Sequence, residues 1–219
     1  MRTSLVVLAL AGIASRLPAQ TCLGNASFSH SSFKLYGNVD FESTKTHFGG
    51  GAMVGASHPF LLGGITVTSL DHGGSSFGVV GLGGYQVEVG SSKPVAVCPL
   101  LSASVSSGPN DADSGGDDVS GRSFGFGAGI GVELGSGTKV KFVPTGSLQV
   151  VHARVKLKGV TTQTLSDTYE LLTMGAGIVL SGRITLLPHL IIPIGSTAGG
   201  DTQFGMSVSI GLKGGNSSM

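Results

Sequence analysis

Few residues in this 219-residue chain can do chemistry, and they fall into small groups. Cys22 and Cys98 make an even count, which permits a disulfide in an exported chain and otherwise leaves two thiols. Glu88 and Glu133 stand just before short turn sequences, and Lys141 and Arg183 just after them. His152, Arg154 and Lys156 recur at every second position. Asp111, Asp113, Asp117 and Asp118 lie in NDADSGGDD. That stretch is oxygen-rich enough to suggest calcium, but it lacks the Glu that closes an EF-hand loop. It reads as an acidic surface loop, and no metal or other cofactor is assigned. His30, with Ser29 and Ser31, forms the one His/Ser cluster, and sequence places no acidic partner beside it. No catalytic residue is assigned and the chain is read as non-enzymatic. Gly125, Gly127, Gly129 and Gly131 are spaced strictly by two and precede no helix, which excludes a nucleotide-binding loop.

Period-two spacing is the rule for most of the chain, and it identifies the elements that must carry these groups. FGMSVSIGLK puts Phe204, Met206, Val208, Ile210 and Leu212 on one face and only Gly and Ser between them. SFGFGAGIGVEL does the same with Phe124, Phe126, Ala128, Ile130, Val132 and Leu134. Alternation of this kind predicts strands. Ten are expected, over residues 31–42, 46–56, 60–70, 77–89, 94–106, 122–134, 139–157, 168–180, 183–195 and 203–213. The first pair alternates loosely, and without it the count is eight. Residues 139–157 lose phase between Phe142 and Val151, which predicts a bulge near Pro144 or Val150. Short turns (57–59, 90–94, 135–138, 181–182) alternate with longer polar loops (71–76, 106–121, 158–167, 196–202).

Charged residues are only 11% of the chain, Gly counts 38 and Trp is absent. An ordinary soluble surface carries roughly twice that charge, and a net charge of +1 gives no electrostatic footprint for nucleic acid. A soluble sandwich needs a polar outer face, whereas here the face opposite the bulky residues is mostly Gly and Ser. Small residues on that face suit the inside of a narrow closed barrel, and closure leaves no strand edge unpaired in lipid. Residues 1–20 read as a secretory signal peptide: Arg2, then the apolar Leu5 to Ala14, then Pro18-Ala19-Gln20. Ala19-Gln20-Thr21 matches poorly to a lipoprotein signal ahead of Cys22. The expected layout is a periplasmic N-terminal segment 21–30, a barrel 31–213 and a tail 214–219.

The leader, the glycine-rich strands, the turn-and-loop alternation and the closing FGMSVSIGL resemble the bacterial family of small, porin-like outer-membrane β-barrels, of the OmpA membrane domain and OmpX type. One departure is the end of the chain, which runs on past Leu212 as KGGNSSM instead of stopping on an aromatic residue. The resemblance implies an all-β, up-and-down transmembrane barrel in a Gram-negative outer membrane, a monomer, assembled by the barrel-insertion machinery and in contact with lipopolysaccharide. Alternation turns Glu88, Glu133, Lys141 and Arg183 into the lumen near the periplasmic mouth, as a charge-paired plug, with Cys98 in the same half. Cys22 would then staple the N-terminal segment across that mouth. His152, Arg154 and Lys156 share a face towards the outer strand end, where an anion or lipopolysaccharide head group would meet them. The expected role is structural or surface-interacting with a largely plugged lumen; the alternatives are a narrow pore for small solutes and, behind it, a lipid-modifying hydrolase.

Overall fold

The computed structural model of the chain describes residues 21–25, 32–55, 58–71, 74–90, 95–108, 118–135, 139–158, 162–195 and 201–212. After one turn of 3-10 helix at Thr21–Leu23, the described chain is β-structure. The strands are β1 (Phe33–Glu42), β2 (Lys45–Gly55), β3 (Pro59–Leu70), β4 (Ser75–Tyr85), β5 (Val87–Val89), β6 (Val95–Ser107), β7 (Asp118–Val132), β8 (Val140–Lys158), β9 (Thr162–Leu180), β10 (Ile184–Ile194) and β11 (Gln203–Gly211). β4 and β5 lie end to end along β6 in one register, parted only at Gln86, and count as one position in the wall. β1 pairs with β11, Lys34 opposite Gly211 and Phe41 opposite Phe204. The sheet therefore closes into a ten-stranded antiparallel barrel with no free edge. The loosely alternating first pair belongs to the wall, so the count is ten and not eight. The start of β1 and the end of β11 share one end of the barrel, the near end; Phe41 and Phe204 lie towards the far end.

The apolar faces predicted from alternation point outward. Leu61 is 59% exposed, Leu101 58%, Phe126 56% and Phe204 56%. The buried large apolar side chains are far fewer, chiefly Met53, Phe60, Leu100, Val143, Val151 and Val179. In this barrel the greasy side is the outside, the reverse of a water-soluble core.

Two expectations need correction. No bulge occurs in β8, which keeps one register against β9 from Val140–Leu180 to Lys158–Thr162. The apparent loss of phase arises because Val143 and Val151 are apolar yet inward and buried. Pro144 breaks the pairing in another way. Leu134 and Phe142 exchange backbone hydrogen bonds of 2.8 and 3.0 Å, and two residues on, a proline has no N–H to offer Val132. The β7–β8 ladder resumes at Gly131–Thr145. Residues 158–167 are not a long loop either: β8 and β9 stay paired out to Lys158 and Thr162, and only 159–161 join them. Long connections at the far end are thus confined to 108–117 and 195–202, while β1 and β2 are joined across Ser43 and Thr44 alone.

Candidate functional site

Before it enters the wall, the chain crosses the lumen at the near end. The Thr21 N–H donates to Gln86 Oε1 at 3.0 Å. Thr145 Oγ1 donates to the Cys22 carbonyl at 2.5 Å, and Ser209 Oγ to Asn25 Oδ1 at 2.6 Å. Cys22 is disulfide-bonded to Cys98, with the Cα atoms 6.2 Å apart. Gln86 and Cys98 are neighbours across the β5–β6 side, but Thr145 is on β8 and Ser209 on β11, so residues 21–25 bridge the interior rather than line one strand. Gly24, at φ +67°, makes the turn back and its N–H returns to the Thr21 carbonyl at 3.0 Å; a side chain there would strain the backbone. Space for the segment comes from glycines. A methyl group on Gly131 would strike the Thr21 carbonyl, and one on Gly177 the Gly24 carbonyl. Of the period-two glycines of β7, Gly129 and Gly131 therefore seat the plug, while Gly125 and Gly127 face wall residues of β6 and β8.

Charge gathers beside it. Lys141 Nζ and Glu133 Oε1 pair at 2.6 Å. Glu88 accepts from Gln86 Nε2 at 3.3 Å and lies within electrostatic reach of Glu133. Three of the four expected lumen charges thus come together. Arg183 does not: it is exposed and joins no ion pair among the described residues. The fourth member is Lys34, 1% exposed and within electrostatic reach of Glu133. Two lysines and two glutamates balance, as charges this withdrawn from water must. Sequence reasoning missed Lys34 and Gln86. The signal for Lys34 was present in FKLYGNVDFE, where Lys34, Tyr36, Asn38, Asp40 and Glu42 make one polar face.

Above the plug lies a cavity of about 290 Å³. Its walls include Met53, Leu62 and Leu82, which sit side by side across β2, β3 and β4. Leu23 of the plug and Leu187 of β10 line it too. These inward apolar residues were not anticipated: Met53, Leu62 and Leu187 each adjoin an outward apolar residue in sequence and read as part of an apolar run.

Towards the far end the lumen turns polar. His189 Nε2 meets Asp40 Oδ1 at 2.6 Å, and its Nδ1 meets the Leu187 carbonyl at 3.1 Å. Asn38 Nδ2 donates to Asp40 Oδ2. Beyond them, Glu42 accepts from His47 Nε2 at 3.0 Å, from Lys45 Nζ at 3.4 Å and from the Asp201 N–H at 3.1 Å. His47 Nδ1 in turn meets Thr68 Oγ1 at 2.8 Å. The Glu42 carboxylate ties β1 and β2 to residue 201, just ahead of β11. Hydroxyl, imidazole and carboxylate stand in series there, the order in which a hydrolase arranges a nucleophile and its base.

His152, Arg154 and Lys156 are exposed and share one face of β8, which the unbroken register makes the outward one. Arg122 of β7, unanticipated, sits directly opposite Arg154. None of Arg122, Arg154 or Lys156 makes an ion pair among the described residues; His152 Nδ1 meets Thr168 Oγ1 at 2.9 Å. Asp111, Asp113 and Asp117, residues 1–20, the Ser29–Ser31 cluster and the tail 214–219 lie outside the described residues. Among the described residues no group of three His, Cys, Asp or Glu is placed to hold a metal ion. Comparison with protein-family models and with curated proteins finds no match to this chain.

Proposed function

We propose that the chain is an outer-membrane barrel that is closed by its own N-terminal segment and acts in the envelope and at the surface, not by conduction. The observation that carries this reading is the bridge of residues 21–25 across the lumen, held by the Cys22–Cys98 bond and seated on Gly131 and Gly177. The membrane assignment is supported by the outward belt. Phe204 to Leu212 covers about 27 Å of strand, or about 20 Å once a tilt of about 40° is allowed, close to the apolar band of about 25 Å of such barrels. An apolar girdle all round the molecule suits acyl chains and would aggregate in water. On this reading the near end faces the periplasm.

β8 and β9, 19 residues each, are about twice as long as the crossing needs. They carry a paired hairpin beyond the outer leaflet, where it is available to partners. Arg122, His152, Arg154 and Lys156 stand on the outward side where that hairpin leaves the belt, His152 beside Phe124 and the others beyond it. Like charges directly opposite across strands repel, as at Arg122–Arg154, and the phosphates of lipopolysaccharide would relieve them.

The deciding experiment is conductance in planar bilayers. The oxidised protein is expected to be silent, and Cys98→Ser, which releases the staple, to show openings. Steady openings by the oxidised wild type, reduced in Glu133→Gln, would favour the narrow pore and end this reading. A second reading, ester hydrolysis at the far mouth, is favoured by the Thr68–His47–Glu42 series alone. Absence of turnover of a p-nitrophenyl ester, or turnover undiminished in Thr68→Ala, would end that one.

A further inference from the structure

We propose that the closed lumen is a binding site for a compact, uncharged hydrophobic molecule, held in the chamber between the plug and the Asp40–His189 pair. This goes beyond the plugged-barrel reading and does not depend on whether the barrel conducts.

The argument begins with what an ordinary barrel interior needs. A narrow lumen filled with water or with ion pairs is served by Gly, Ser and charged residues. This one places Met53, Leu62 and Leu82 in a row across three neighbouring strands, with Leu23 and Leu187 facing the same space. Several of the polar groups around the chamber are engaged elsewhere, and the hydroxyls of Tyr36, Thr66, Ser147, Thr173 and Ser207 complete its lining. Thr145 Oγ1 is held by the Cys22 carbonyl, Ser209 Oγ by Asn25, Asn38 Nδ2 by Asp40, and His189 by Asp40 and the Leu187 carbonyl. What remains towards the space is mostly carbon. A buried water needs two to four polar partners, and an apolar cavity of about 150 Å³ stays dry and takes up benzene. At about 290 Å³ this chamber has nearly twice that volume, which fits about two fused rings or a chain of about ten carbons. The site offers no unpaired charge, so the ligand is neutral. The plug closes the near end and the wall is continuous, so access is from the far mouth.

The methionines supply the test. Met53 lines the chamber, whereas Met174 and Met206 point outward. The full-length protein, labelled at its methionine methyl carbons and held in lipid nanodiscs, is titrated with naphthalene and followed by NMR. Met53 is expected to shift and saturate, while Met174 and Met206 drift linearly as the probe partitions into lipid. A Met53 signal that stays still, or drifts in step with the outward pair, overturns the proposal. Filling the chamber by Leu82→Phe is expected to weaken half-saturation at least tenfold; Leu62→Phe gives the same reading should the first variant not fold. The outward neighbour Leu61→Phe is expected to leave saturation unchanged. Saturation that survives both chamber-filling variants places the probe elsewhere and also sinks the idea.

Discussion

Gly177 and Gly131 face the plug backbone so closely that a single methyl group separates the two possible roles of a lumen glycine. If these glycines only relieve crowding in the wall, Ala should be tolerated. If they seat residues 21–25, a Cβ collides with the Gly24 or Thr21 carbonyl, and neither backbone atom can rotate out of the way. Overpacking of this kind typically costs about 1–3 kcal/mol. Gly177→Ala is therefore expected to speed hydrogen exchange at the Thr21 and Gly24 amides by about ten- to hundredfold, about 1.4 kcal/mol for each factor of ten, while the β1–β11 amides stay protected. Gly63, where an added Cβ meets nothing within 4 Å, is the control and should change neither. The Lys141–Glu133 pair makes a second test at this scale. The side chains are 23% and 17% exposed, so removing one partner strands a charge that water reaches only in part. Glu133→Gln and Lys141→Met are each expected to destabilise by about 1–3 kcal/mol. The double variant should cost less than their sum, read by denaturant titration. Strict additivity would show that the pair is not coupled.

The N-terminal segment and the wall respond differently to loss of the disulfide, because only the segment depends on it locally. Cys22–Cys98 closes a sequence separation of 76 residues, for which the chain-entropy estimate is about 4.5 kcal/mol. Cys22→Ala should lower the unfolding midpoint yet leave the barrel closed and heat-modifiable on gels, with residues 21–25 newly open to protease. A barrel that no longer forms would mean that the plug nucleates the wall. Elements of this kind differed in how far sequence revealed them. Strands such as 203–211 were legible because every second residue is large and its neighbours are tiny. The staple was legible as a possibility, since Cys98 fell on the inward face near one mouth. The interior chamber was not, because Leu61-Leu62, Val79-Val80 and Leu100-Leu101 put apolar residues on both faces and erase the alternation. Nor was the continuity of β8: inward Val143 and Val151 mimic a slipped phase, although the ladder beside them never shifts against β9. Local pattern reports which residues alternate. It cannot report that a greasy residue has a reason to face inward.

At the scale of the whole molecule, the outward belt decides between lipid and water, and two positions of equal exposure make the decision measurable. Leu101 and Val89 are both 58% exposed. Leu101 sits mid-strand, paired with Phe126 of β7, whereas Val89 ends β5 at the near mouth. In water the two sites are alike, and replacing either by Arg should change stability by no more than about 0.5 kcal/mol, as for most surface sites. In a bilayer depth separates them: Arg at the midplane costs about 2–4 kcal/mol, and near the interface about 0–1 kcal/mol. Leu101→Arg is therefore expected to lose about 2–4 kcal/mol in folding titrations from urea into phospholipid vesicles, and Val89→Arg almost nothing. Burial cannot produce such a gap, since both side chains are equally uncovered by protein. Equal effects at the two positions, or a Leu101→Arg protein that becomes more soluble without lipid, would mean that the belt faces something other than acyl chains.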